Sequence, residues 1–245
     1  MKPRTLLKNL LLRLSDDGSG GYKILWGPLK GRKLVLGPDD RKLYLLGLYE
    51  RRIAQVLRAE CLVGSAALDL GAHIGYFTLL LASLTGNQGK VYAFEPNPLN
   101  AAKIRKMLAL NGLGHIEVFE AAISSVSGTM PFTIEDTGSM GRLLTTGKPM
   151  GSAVEVRVET LDGLAAMHDF RPIGLIKMDI EGAEVDALLG MKSLLVRYRP
   201  VIVCEWHPAR AGRDFRGAFQ SVGYRCVLLE PESGTNAFHV IARPA

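Results

Sequence analysis

An apolar run that starts at Ile173 carries charges where a buried strand should have none: Leu175-Ile-Lys-Met-Asp-Ile-Glu-Gly-Ala-Glu184. Alternation with a period of two puts Lys177, Asp179 and Glu181 on one side and Ile176, Met178 and Ile180 on the other. Charges in such a strand cost several kcal/mol unless they are paired or perform a task. The run then turns through Gly182 into a helical pattern. Open α/β sheets place their ligands at such carboxyl ends of strands, so this segment is where chemistry is expected.

The remainder of the chain supplies the sheet. Tyr22 to Leu36 reads as a hairpin, with Gly27-Pro28 and Gly31 as turn signals and Gly37-Pro38-Asp39-Asp40 as a break. Arg41 to Glu60 has helical periodicity. Strands and helices then alternate: Ala67–Leu70, Tyr76–Ser83, Val91–Phe94, Pro98–Asn111 and Ile116–Phe119. Glycine- and threonine-rich sequence over Ser124–Ser152 interrupts the pattern, in the place of a lid over an acceptor or of a plain surface hairpin. After strand Val154–Val158 and a short helix at Leu161–His168 come strand Leu175–Ile180, helix Ala183–Leu195, strand Val201–Glu205 and helix Asp214–Val222. Repeated βα units predict a mostly parallel, doubly wound sheet. The last strands, Tyr224–Leu229 and Ala237–Ala242, are joined by a turn at Pro231–Thr235 and predict an antiparallel hairpin at its edge.

Charge is uneven along the 245 residues. Positions 1–62 hold 13 Lys/Arg against 6 Asp/Glu, and the remaining positions hold 17 against 18. We therefore expect a basic N-terminal extension over 1–62, built as helix, hairpin and helix and packed on a near-neutral main domain over 63–245. A neutral main domain argues against nucleic acid as the partner, although the basic extension keeps an enzyme that acts on RNA as an alternative. Met1 to Leu14 is basic and amphipathic; docking on its own domain is preferred to peripheral contact with a membrane surface. No apolar stretch nears the ~20 residues of a membrane span, and the first residues lack a signal-peptide core, so a cytoplasmic protein is expected. Cys61, Cys204 and Cys226 have no ligand spacing and read as free thiols.

The first chemical motif is Leu68-Asp-Leu-Gly-Ala-His-Ile-Gly-Tyr-Phe77, a strand, a glycine turn and a helix that let backbone amides approach a cofactor. It is not the dinucleotide fingerprint, because His73 and Tyr76 stand where the second and third glycines belong. The spacing Gly71 to Gly75, with Asp69 just before it, suits a nucleoside with an amino-acid tail such as S-adenosylmethionine. The second motif is Val91-Tyr-Ala-Phe-Glu-Pro96. An acid at the end of the second strand, ~20 residues beyond the glycine turn, accepts hydrogen bonds from ribose hydroxyls, and the turn at Pro96-Asn97-Pro98 fixes Glu95.

These stretches, with Thr160-Leu-Asp162, Tyr49-Glu50 and Glu205-Trp-His-Pro208, resemble the FkbM family of S-adenosylmethionine-dependent methyltransferases over roughly residues 48 to 208. The Lys-x-Asp-x-Glu-Gly-x-Glu run is the specific element, whereas the glycine loop is common to many methyltransferases. One departure is His73, where the family more often has Asn; a histidine still donates a hydrogen bond. The resemblance implies a class I, Rossmann-like methyltransferase fold and O-methylation of a hydroxyl on a sugar, glycolipid or other small natural product. Cofactor contacts are expected from Asp69, Gly71, His73, Gly75, Tyr76, Glu95 and Asn97.

A sulfonium donor demands in-line positioning above all, worth ~7–11 kcal/mol, and a hydroxyl acceptor gains ~10²–10⁴-fold from a nearby base. Asp179 is the candidate base, Lys177 its partner, and Glu181 an acceptor contact. Glu184 is an acceptor contact, a helix cap or a surface residue. Glu205 and His207 face one cleft, with His207 read as structural, while Asp162 reads as a helix cap and His115, His168 and His239 as incidental. A divalent ion on Asp179, Glu181 and Glu205 is chemically open, since hard cations favour carboxylates, but the spacing does not require one and no metal is expected. A non-catalytic binding protein that kept the fold is the other alternative; charges in a buried strand speak against it.

Overall fold

A computed structural model of the chain describes residues 11–37, 42–134, 141–144, 152–212, 214–229 and 237–245. Most of the amphipathic stretch at the N-terminus, the break at 38–40, the turn at 231–235 and Gly138, Ser139, Met140, Gly147 and Gly151 lie outside those residues. Within them, α1 covers residues 11–15. Strands β1 (Tyr22–Lys23) and β2 (Lys33–Leu34) pair antiparallel as the predicted hairpin.

The helix expected over 41–60 is broken. A 3-10 turn at Lys42–Tyr44 precedes α2 (Arg51–Glu60), and between them Gly47 and Glu50 take φ of 60° and 39°. A Cβ on Gly47 would overlap the Trp26 carbonyl oxygen, so contact with the hairpin imposes the break. From there the predicted alternation holds: β3 (Ala66–Leu70), α3 (Tyr76–Thr85), β4 (Lys90–Phe94), α4 (Pro98–Asn111), β5 (Ile116–Phe119). Four strands then form a sheet of their own: β6 (Ala122–Ile123), β7 (Gly128–Ile134), β8 (Gly141–Leu143) and β9 (Ser152–Glu159), in the order β6-β9-β7-β8. The chain returns through α5 (Leu161–Met167) to β10 (Ile173–Met178).

The single helix expected at 183–195 is two, α6 (Glu184–Leu189) and α7 (Lys192–Tyr198). A Cβ on Gly190 would overlap the Ser124 carbonyl oxygen, a close approach that breaks the helix there. The chain ends with β11 (Val201–Trp206), α8 (Pro208–Ala211), α9 (Phe215–Gln220), β12 (Tyr224–Leu228) and β13 (Phe238–Pro244).

The main sheet has the order β12-β13-β11-β10-β3-β4-β5. Strands β11, β10, β3, β4 and β5 are parallel, and β13 lies antiparallel between β11 and β12. The sheet thus has a core on each face. One gathers Leu68, Ile176, Met178 and Trp206 beneath α5–α7 and α9; the other gathers Ala67, Leu175 and Val203 beneath α2–α4, with Ile24, Leu29 and Leu34 of the N-terminal segment. All three cysteines are free thiols. No helix of the described residues is long and apolar enough to cross a membrane.

Asp162 caps a different helix from the one it belongs to. Thr160 caps α5 through the Gly163 amide, while the Asp162 carboxylate accepts from the Ser193 and Leu194 amides at 2.9 and 2.8 Å, at the start of α7. Substitution Asp162→Ala is expected to cost about 1–2 kcal/mol, read as a lower denaturant midpoint with an unchanged slope. An unshifted midpoint would show that the bridge between α5 and α7 contributes nothing.

Candidate functional site

The glycine loop between β3 and α3 is clamped from two sides. The Gly71 and Ala72 amides both donate to the Phe94 carbonyl at 3.0 Å, at the end of β4. On the other side, Gly71 has φ 78°, and a Cβ there would overlap the Asp179 carbonyl oxygen just beyond β10. His73, at φ 53°, donates its amide to Glu95 Oε2 at 2.7 Å, and the Asn97 amide donates to Glu95 Oε1 at 2.9 Å. Glu95 is buried, and burial lifts its carboxyl to about 7 in spite of these two bonds.

Beyond the loop, Lys177 is held in the sheet. Its Nζ donates to the Gly71 carbonyl at 3.2 Å, lies 3.5 Å from Asp179 Oδ2 and 3.6 Å from Asp69 Oδ1, and sits 5.2 Å from the centre of the Phe77 ring. Burial works against its charge, but Asp179 and Asp69 more than offset that and hold the ammonium above the usual lysine range. Glu181 takes φ 55°; its Oε2 meets Arg210 at 3.1 Å and His207 Nε2 at 3.5 Å. Burial, followed by the Asp179 charge, raises its carboxyl.

These elements enclose a cavity of about 300 Å³. Seven of the ten residues expected to contact cofactor or carry catalysis line it: Gly71, His73, Tyr76 and Glu95 from the first two motifs, and Lys177, Asp179 and Glu181 from the acidic run. Three others stand behind the wall. Asp69 is fully buried, its Oδ2 accepting from the Thr78 hydroxyl at 2.6 Å, so it braces the loop from below. Gly75 faces Met107 and Ile104 of α4, where a Cβ would crowd the helix packing. The Asn97 side chain caps α4 through the Leu99 amide at 3.0 Å, and its contribution to the cavity is the amide that holds Glu95. Glu184 is neither a surface residue nor on the wall. It is fully buried, and its Oε1 accepts from the Gly182 amide at 3.0 Å and lies 2.7 Å from His207 Nδ1.

Glu50 and Glu205, named in the sequence, also line the wall, whereas Tyr44, Phe132 and Leu143 carried little sequence signal. Tyr44 and Glu50 come from the segment before α2, and Phe132 and Leu143 from the antiparallel pair β7 and β8, so the described part of the glycine-rich insertion contributes to the wall. His239, read as incidental, lies 3.5 Å from Glu205 Oε2 and 3.9 Å from Glu50 Oε2. Burial and then Asp179 raise Glu50 to about 7. Burial would raise Glu205 too, but His239 outweighs it and holds the carboxyl below its ordinary value. Burial would lower His239, yet Glu205 keeps the imidazole above its own.

Residues 69–226 match the Methyltransferase FkbM domain family. The methyltransferase sdnD of Sordaria araneosa is 26% identical over 205 residues, which is 71% of this chain and 79% of its own. Methyltransferase 1 of Beauveria bassiana is 24% identical over 146 residues, 52% of this chain and 58% of its own. The crystal structure of methyltransferase FkbM from Methylobacillus flagellatus superposes with a TM-score of 0.54 at 19% identity, over 74% of this chain and 44% of that one. The precorrin-6y C5,15-methyltransferase of Geobacter metallireducens superposes with a TM-score of 0.50 at 12% identity, over 80% and 90% of the two chains. At such identities the two structures speak to the fold.

His207 gives the site a pH signature. Burial disfavours its charged form, but the Glu184 bond and the charges of Asp179 and Glu184 raise it from 6.5 to about 9. Because the folded state holds this proton more tightly than the unfolded chain, the stability it contributes is complete below pH 6.5 and is lost as pH rises through about 9. His207→Gln is expected to remove part of the stability loss that the parent protein shows across that window in denaturant titrations. Equal losses in the two proteins would contradict this assignment.

Proposed function

The chain belongs to the FkbM methyltransferase family, with the class I, Rossmann-like fold, and from that premise we propose that it is an O-methyltransferase acting on a hydroxyl of a sugar, glycolipid or other small natural product. Its methyl donor is S-adenosylmethionine, which supplies an electrophilic methyl group on a sulfonium. The observation that carries the reading is one cavity lined by a glycine loop, Glu95 and, against that loop, the Lys177–Asp179 pair.

The residues present suit the donor. Each Glu95 oxygen accepts one backbone amide and keeps lone-pair capacity, so the carboxylate can receive both ribose hydroxyls. Gly71, His73 and Tyr76 provide the adjoining wall. Asp69, Gly75 and Asn97 serve the donor from behind it, by holding the loop, the α3–α4 packing and Glu95. Asp179 accepts the proton of the acceptor hydroxyl at its carboxylate and orients the oxygen. Lys177, tied to the Gly71 carbonyl, fixes where that carboxylate stands, and Glu181 holds a second acceptor hydroxyl. Residues 63–245 are then the methyltransferase domain, and 1–62 an extension that closes the acceptor side through Tyr44 and Glu50.

Calorimetry is expected to show S-adenosylmethionine binding that Glu95→Ala weakens and Asp179→Asn leaves in place. With labelled donor and extracts of glycans and small metabolites, Asp179→Asn should lose transfer by ~10²–10⁴-fold. Unchanged turnover in Asp179→Asn would remove the aspartate from the mechanism. Label recovered on nitrogen or carbon would refute O-methylation.

A further inference from the structure

We propose that Glu50, Glu205 and His239 form a divalent-metal site in the cavity wall, suited to an ion that takes mixed oxygen and nitrogen ligands, such as Mn²⁺ or Zn²⁺, rather than Mg²⁺. The three side chains arrive from separate parts of the chain. Glu50 is the left-handed residue that precedes α2, Glu205 is on β11, and His239 is on β13 directly opposite Glu205 in the antiparallel register. Opposed residues of such a pair project from the same face, so the sheet itself sets two ligands side by side. One oxygen from each carboxylate and one imidazole nitrogen all lie within 4.8 Å of one another. All three residues line the cavity.

The spacing fits a shared ion better than an ion pair. His239 Nε2 can donate one proton, yet two carboxylates face it, at 3.5 and 3.9 Å. Charge-assisted hydrogen bonds are shorter, about 2.7–2.9 Å. Ligands that each stand about 2.0–2.2 Å from a common ion are separated by about 3–3.6 Å; the 3.5 Å between Glu205 and His239 falls in that window, and Glu50 at 3.9 Å from His239 stands just outside it. Among the described residues, Glu50 and Glu205 form ion pairs only with histidines, while Lys177 favours the charged form of both from farther off. The neighbouring triad of Asp179, Glu181 and His207 differs. There Lys177 stands by Asp179, Arg210 holds Glu181, and Glu184 takes His207 Nδ1, so protein cations already serve the carboxylates. Two carboxylates neutralise a dication, and the imidazole biases the set toward Mn²⁺ or Zn²⁺ over the oxygen-loving Mg²⁺. Coordination positions not taken by protein face the cavity, where an acceptor oxygen can bind. Only this last role rests on the methyl-transfer reading.

The test is calorimetric titration of the chelator-treated full chain with Mn²⁺, Zn²⁺ and Mg²⁺. One Mn²⁺ or Zn²⁺ per chain is expected, bound at least about tenfold more tightly than Mg²⁺. His239→Asn and Glu205→Gln should each weaken it by more than about tenfold, and His207→Asn should not. Should a variant fail to fold, pulsed EPR of Mn²⁺ on the parent protein reports the nitrogen of a bound imidazole directly. No saturable binding, no nitrogen coupling, or loss of binding with His207→Asn alone would overturn the proposal. S-adenosylmethionine binding, measured on the same samples, keeps the two readings apart. Its absence would sink the methyltransferase mechanism and leave the metal result standing.

Discussion

A buried ammonium holds the site together. Lys177 stands in register with Asp69 of the adjacent parallel strand, reaches the Gly71 carbonyl above it, and lies beside Asp179 at the end of its own strand. An unpaired charge at this depth would be prohibitive, and each partner alone would be stranded without the lysine. The one side chain therefore ties β3, the glycine loop and the end of β10 into a unit. The donor loop and the candidate base are then positioned by the same contact, which is what an in-line transfer between two molecules requires.

Much of this was legible because the deciding signals are local. Strand-length apolar runs, glycine turns and acids at strand ends place β3, β4 and β10 and bring Gly71, Glu95 and Asp179 to one edge of the sheet. The failures share a cause. Gly47 and Gly190 break their helices because of the Trp26 and Ser124 carbonyls, partners distant in the chain that periodicity cannot register. Asp69, Gly75 and Asn97 belong to the right motifs, but a motif states proximity and not the direction a side chain faces. Asp162 caps the neighbouring helix, while Thr160 caps its own. His239 acquires meaning only through the β11–β13 register, since nothing near it in the chain marks it out.

Electrostatics within the cavity follow from the same placement. Burial lifts Glu95 and Glu50 to about 7 by excluding water from their carboxylates, and for Glu50 the Asp179 charge adds to it. Glu205 goes the other way because His239 is beside it. A single wall thus presents carboxylates in different states of protonation near neutral pH, the kind of contrast from which sites assemble acids, bases and ligands.

The overlap that any side chain at position 71 would make with the Asp179 carbonyl has a further consequence. Loop and strand end are in direct contact there, and the wall at that point has no room for a larger residue. Novelty in what the protein accepts must then enter elsewhere on the rim. The β7–β8 pair, through Phe132 and Leu143, and the stretch around Tyr44 and Glu50 are where the wall can be recut without disturbing that part.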